Sequence, residues 1–137
     1  MLFHVWFATK RRKWLLQGEL VSAAKAAIRT AAEAYGIELI EVEAVVDHVH
    51  LLLDVEPRTL PRTMNLLKGM SARSLFLQFP ELKLDEETNS FWQAGYGRKP
   101  VQPTEVDTVR HYIRTQWDRL EDYETRISNR GRTTFTG

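Results

Sequence analysis

The chain has 137 residues, 43% of them hydrophobic, and a formal net charge of only +1. That composition excludes a disordered chain, predicts one domain over 1–137, and gives no global charge excess that would announce a nucleic-acid binder. The chain has no cysteine, which excludes disulfides and thiolate metal sites and leaves any metal to His, carboxylate or amide ligands.

The first residues, Met1 to Phe7, are apolar but short, and no cleavage site follows. No signal peptide or membrane span is expected, and a cytoplasmic location is the default. Leu2 to Thr9 reads as a strand, with His4 as a structural residue inside it. Lys10-Arg11-Arg12-Lys13 leaves that strand as a basic run. From Gly18 to Tyr35, Leu20, Ala24, Ala27, Ile28, Ala31 and Tyr35 recur at helical spacing, and Gly36 is placed to stop the helix. Glu38 to Val46 alternates, predicting that Ile40, Val42, Ala44 and Val46 share one face, with Glu41 and Glu43 on the other. The apolar parity then switches to Val49, Leu51 and Leu53, so a tight turn or bulge is expected at Val46-Asp47 between two antiparallel strands.

Thr59 and Pro61 mark the start of a helix running toward Pro80, with Met64, Leu67, Met70 and Leu75 expected in the core. Gly69 and Ser71 make its middle small on one side. Leu82 to Ser90 reads as an acidic loop, and Phe91 to Val101 as one or two short strands around a turn. Thr104 is expected to cap a last helix whose apolar stripe is Val106, Val109, Ile113, Trp117 and Leu120. A flexible tail is expected from about 123. The order of elements predicts an α+β fold, a ferredoxin-like or RRM-like antiparallel sheet with helices packed on one face.

Because side chains alternate along a strand, His48 and His50 share a face, and each can offer a nitrogen to one divalent metal or simply hydrogen-bond. Asp47 is either a turn residue or a carboxylate that orients His48. On the last helix Tyr112 and Gln116 are four residues apart and lie on one face; neither alone is diagnostic. His111 points about 100° away round that helix. Lys68 and Arg73 would contact phosphate if they faced the sheet, and water otherwise. Trp92 and Tyr96 suit packing or base stacking. Lys10, Arg11 and Arg12 are stronger phosphate candidates because they leave one strand together.

Taken together these stretches resemble the HUH superfamily of single-strand DNA endonucleases, and more closely the single-tyrosine transposases of the insertion-sequence 200/605 group. The resemblance is carried by Phe7-Ala8-Thr9-Lys10-Arg11-Arg12, Asp47-His48-Val49-His50-Leu51-Leu52, Leu67-Lys68-Gly69-Met70-Ser71-Ala72-Arg73, Phe91-Trp92-Gln93-Ala94-Gly95-Tyr96-Gly97 and Tyr112-Ile113-Arg114-Thr115-Gln116. It implies that Tyr112 on the final helix is a nucleophile forming a 5′-phosphotyrosine. It also implies that His48, His50 and Gln116 hold Mg²⁺ or Mn²⁺. The partners implied are single-stranded DNA with hairpins at element ends and a second copy of the chain, with sites that the two subunits can share. Arg98-Lys99-Pro100 departs from the small or apolar residues more usual there, and the histidine pair often seen after the last helix is absent. Gln116 stands where a palindrome-associated branch has Asn-Pro. The alternatives are a relaxase- or replication-initiator-like nicking enzyme and a non-catalytic or domesticated nucleic-acid-binding module of the same fold.

Overall fold

The structure, a computed structural model, describes residues 1–85 and 90–120, with side chains 84 and 85 omitted. Four strands, β1 (Leu2–Ala8), β2 (Glu38–Val45), β3 (His48–Asp54) and β4 (Gly97–Val101), form one antiparallel sheet in the order β2-β3-β1-β4. The helices are α1 (Glu19–Ala34), α2 (Leu60–Gln78), α3 (Pro80–Asp85) and α4 (Val106–Arg114). Among the described residues no helix is long and apolar enough to cross a membrane. The expected tail, with Tyr123 and the arginines beyond it, lies outside the described residues.

The alternation of the strands decides what each face of the sheet does. Phe3, Val5 and Phe7 of β1 stand opposite Leu53, Leu51 and Val49 of β3. All six are buried in one cluster with Ala24, Ile28 and Ala31 of α1 and Leu60, Met64, Leu67 and Leu75 of α2. The expected helical layer is therefore present on this face. The opposite face presents the even residues of the inner strands, and α4 crosses part of it. There Ile113 packs with Leu52 and Val101, flanked by Leu2, Ile40, Val106 and Val109.

The predicted change of parity is a two-residue turn. Val46 takes a φ of +53°, a strained conformation for a β-branched residue. Reciprocal backbone hydrogen bonds with Leu16, at 2.8 and 3.0 Å, hold it there. Within β2 the regular alternation does not hold. A bulge between Leu39 and Glu41 leaves Ile40 without a partner, so Leu39 reaches the main core while Ile40 joins the cluster under α4. Because α4 covers that side, Glu41 is not a solvated residue: its carboxylate accepts from Arg110 Nε (3.3 Å) and Arg114 Nε (2.8 Å).

The helix ends also differ from expectation. Thr59 does not cap α2; its hydroxyl donates to Glu56 O (2.9 Å) in the 3₁₀ turn that precedes the helix. Met70 lies outside the buried series and is exposed. The acidic connection begins as α3 rather than a loop. At α4 the cap is not Thr104 but a reciprocal Gln102–Glu105 capping box around the Pro103–Glu105 turn, which satisfies backbone donors at the helix start. The helix is interrupted at Thr115 and resumes over 116–120, where Trp117 Nε1 donates to Ala44 O of the edge strand (2.9 Å).

Candidate functional site

The central pair comes from β3, which is hydrogen-bonded on both sides. His48 and His50 share the open face with ring centroids 4.9 Å apart. Asp47 lies in the turn and at the same time contacts the neighbouring ring: its Oδ1 is 2.8 Å from His48 Nδ1, and its Oδ2 accepts from Arg12 Nε at 3.0 Å. Ion-paired to Arg12, the carboxylate is an acceptor, so in a neutral His48 ring the hydrogen sits on Nδ1 and the Nε2 lone pair is free. Arg12 and Arg11 both adopt positive φ in the Lys10–Arg12 turn, and this geometry turns Arg12 back toward Asp47, just ahead of the histidine strand.

His4, expected to be structural, is part of the site. Its Nε2 lies 3.0 Å from His50 Nδ1, and the two rings stack. When His50 Nδ1 donates, His50 Nε2 has its lone pair available. Burial, with His48 and His4 as neighbours, holds the His50 pKa down at about 3. Burial and Lys99 also lower that of His4. Both rings are therefore neutral at ordinary pH, the state a metal requires.

From the other side α4 brings Tyr112 within 5.9 Å of His50 and 5.8 Å of His4, ring centre to ring centre, in edge contacts. Tyr112 is 39% exposed, and its hydroxyl makes no hydrogen bond among the described residues. Arg119 lies over its ring at 4.6 Å. One turn later Gln116 is only 8% exposed. Its Nε2 donates to Tyr112 O (2.8 Å), and the amide oxygen has no hydrogen-bond partner among the described residues. His48, His50, Tyr112 and Gln116 line one cavity of about 460 Å³, together with Arg12, Trp6, Tyr96 and the 93–97 segment.

These donors fit a divalent cation. In each of the three candidate ligands the other polar atom of the group is engaged, by Asp47, by His4 or by the Tyr112 carbonyl, and an unprotonated nitrogen or a neutral oxygen remains. Such anchoring fixes ring orientation and tautomer. Among the described residues no three His, Cys, Asp or Glu side chains are placed to hold one metal ion together, so a three-ligand set requires the amide.

The remaining candidates divide. Lys68 donates to Gln93 O (2.8 Å) and Gly95 O (2.7 Å) and sits 5.6 Å over the Phe7 ring; burial lowers its pKa. It holds the loop that walls the cavity. Trp92 is 5% exposed and its Nε1 donates to Ser71 Oγ (2.9 Å), so it packs in the core and offers no face for stacking. Tyr96 borders the site cavity. Lys10 and Arg73 line a separate cavity of about 840 Å³ with Lys68 and Lys83. Arg11 and His111 are exposed. Sequence reasoning missed His4 and Trp6. Their even parity in β1 was legible, but only the pairing of β1 beside β3 puts them next to His50.

The chain is similar to known transposases in sequence and in fold. Residues 1–116, ending at Gln116, match the family model described as "Transposase IS200 like". The chain is 33% identical over 118 residues to the ISDra2 transposase TnpA of Deinococcus radiodurans, covering 85% of this chain and 84% of that protein. It is 34% identical over 95 residues to the transposase for insertion sequence element IS200 of Salmonella typhimurium, covering 69% of this chain and 62% of that protein. A crystal structure of a protein from Deinococcus radiodurans described as a transposase superposes with a TM-score of 0.68 at 33% identity, over 85% of this chain and 90% of that one. A REP-associated tyrosine transposase bound to a REP hairpin shares the fold, with a TM-score of 0.54 at 13% identity over 82% of this chain and 61% of that one. The chain belongs to the insertion-sequence 200-like transposase family.

Proposed function

We propose that this transposase cleaves and rejoins single-stranded DNA through Tyr112. The observation that supports this most is the convergence of Tyr112, His48, His50 and Gln116 on one cavity. Tyr112 Oη would attack the scissile phosphorus, a bond from phosphorus to the tyrosine oxygen would form, and the 3′ oxygen would leave as a hydroxyl. The phenol proton passes to water at the open mouth of the cavity, and water there returns one proton to the departing 3′ oxygen. The 5′-phosphotyrosine preserves the energy of the phosphodiester, so a 3′-hydroxyl from another strand can reverse the step and complete the transfer. His48, His50 and Gln116 would hold Mg²⁺ or Mn²⁺. When bound, such a cation would neutralise the non-bridging phosphate oxygens. Arg12 keeps Asp47, and through it His48, in place.

The substrate proposed is a strand end carrying a hairpin, the kind of ligand held by the fold neighbour described above. A homodimer is proposed as the acting species, although Tyr112 and the histidines of a single chain already line the same cavity.

Incubation with labelled single-stranded hairpins from candidate element ends and Mn²⁺ tests the proposal. A denaturation-resistant adduct is expected with the native chain and none with Tyr112→Phe. Adducts that form equally well without the Tyr112 hydroxyl would assign the nucleophile elsewhere, with Tyr96 the nearest rival. Binding without any adduct, across hairpins and flanks, would favour a non-catalytic binding module.

A further inference from the structure

Beside the site lies a second cavity of about 530 Å³, lined by His4, Trp6, His50, Lys99, Pro100, Val101, Glu105, Thr108, Val109 and Tyr112. Trp6, His50 and Tyr112 border both cavities, so anything held at Tyr112 has direct access to the second. Trp6 is directly opposite His50 on one side and Gly97 on the other. A Cβ at Gly97 would collide with the middle of the Trp6 indole. Glycine at this position therefore lets the ring lie across β4. Although the sheet supports it, Trp6 remains 38% exposed, and its exposed surface faces the two cavities.

A large, rigid aromatic seated on a sheet and left open is the usual platform for an unpaired base, because every base has a π-face to stack. Lys99, opposite His4 on β4, puts a cation on the wall of the same cavity for the adjoining phosphate. The apolar surfaces of Pro100, Val101 and Val109 complete a slot for a flat heterocycle.

We propose that Trp6, supported by Gly97, stacks one nucleobase next to the scissile phosphate, with Lys99 holding the neighbouring backbone. The proposal rests on the DNA-cleaving function proposed above and adds a base subsite to it. The base is taken from single-stranded DNA, since a paired base presents no free face.

The test uses the metal-free full chain, titrated with a labelled dT 15-mer and with an abasic 15-mer carrying the same number of phosphates. Anisotropy of the label and tryptophan emission are followed together. The native chain is expected to bind dT about tenfold tighter than the abasic oligomer, with emission quenched by dT alone. Trp6→Leu should bring dT down to the abasic level, leave abasic binding unchanged and abolish the quench, while Trp6→Phe should fall between. Trp14, 71% exposed, is the control, and Trp14→Phe should change none of these values. If both Trp6 variants keep native affinity and quench, or if dT and the abasic oligomer bind the native chain alike or not at all, the platform is ruled out. The hairpin adduct assay is read separately. Adducts without a base-dependent affinity reject the platform alone, and base-dependent affinity without adducts rejects the cleavage chemistry alone.

Discussion

His4 and His50 show how a single contact changes what a residue means. In isolation His4 is an imidazole in a strand, but with its Nε2 3.0 Å from His50 Nδ1 it selects which nitrogen of His50 is available. Replacing His4 by Phe keeps the ring and removes that bond. Mn²⁺ affinity, measured by titration calorimetry, is expected to fall about 10–100-fold, while Tyr112→Phe leaves it intact. The depressed His50 pKa, about 3, also sets a dependence on pH. The unfolded chain takes up a proton near pH 6.5 and the folded chain does not, so stability is full above pH 6.5 and declines as pH falls toward 3. Between pH 7 and 5 the unfolding free energy of the metal-free protein should drop by about 2 kcal/mol, with His4 adding in the same direction. Urea titrations at the two pH values measure the drop, and His50→Gln should flatten it.

Among the elements, α4 is the part whose placement matters most. It is held by Ile113 in its apolar cluster, by the two arginines on Glu41 and by Trp117 on the edge of β2. The arginines are partly exposed, so their ion pairs contribute modestly. Glu41→Gln is expected to speed amide exchange over 106–114 about fivefold without altering the inner strands, as read by hydrogen exchange. The periodicities of α1, α2, β1 and β3 were legible because each element has one apolar face set by its own spacing. The location of α4 was not, since its stripe of Val106, Val109 and Ile113 says only that it must bury something. The β2 bulge was equally hidden: Ile40 and Val42 look alike in sequence, and only the pairing with β3 sends them to different clusters. For Trp92 the packing alternative holds, since its ring is buried, while Trp6, which had no expected role, falls on the open side of its strand.

At the scale of the whole molecule, one side of the sheet is closed by α1 and α2 and the other carries the chemistry, yet the two are connected. Lys68 reaches from α2 to the carbonyls of Gln93 and Gly95, so the helical layer holds a wall of the site from behind. Lys68→Met should destabilise the chain by only about 1–2 kcal/mol, because the freed carbonyls can turn to water. Limited proteolysis should nevertheless begin to cut near 93–96, and adduct formation should fall more than stability does. The four residues of the proposed active centre were legible from the sequence through their resemblance to a family, and His48 and His50 through strand alternation as well. The supporting contacts of Arg12, His4 and Lys68 were not, because they join residues 35, 46 and 25 or more positions apart.

The histidine strand is an inner one, with neighbours bonded along both its edges. It behaves as an anvil: the spacing of its two imidazoles is fixed by backbone bonds that no side-chain exchange at the rim can loosen. Change is cheap only at the periphery, in β4 and along α4, where Lys99, Pro100 and Thr108 border the slot beside Tyr112. Chains built on this plan can therefore diverge in the strand they accept while keeping one unaltered way of breaking it.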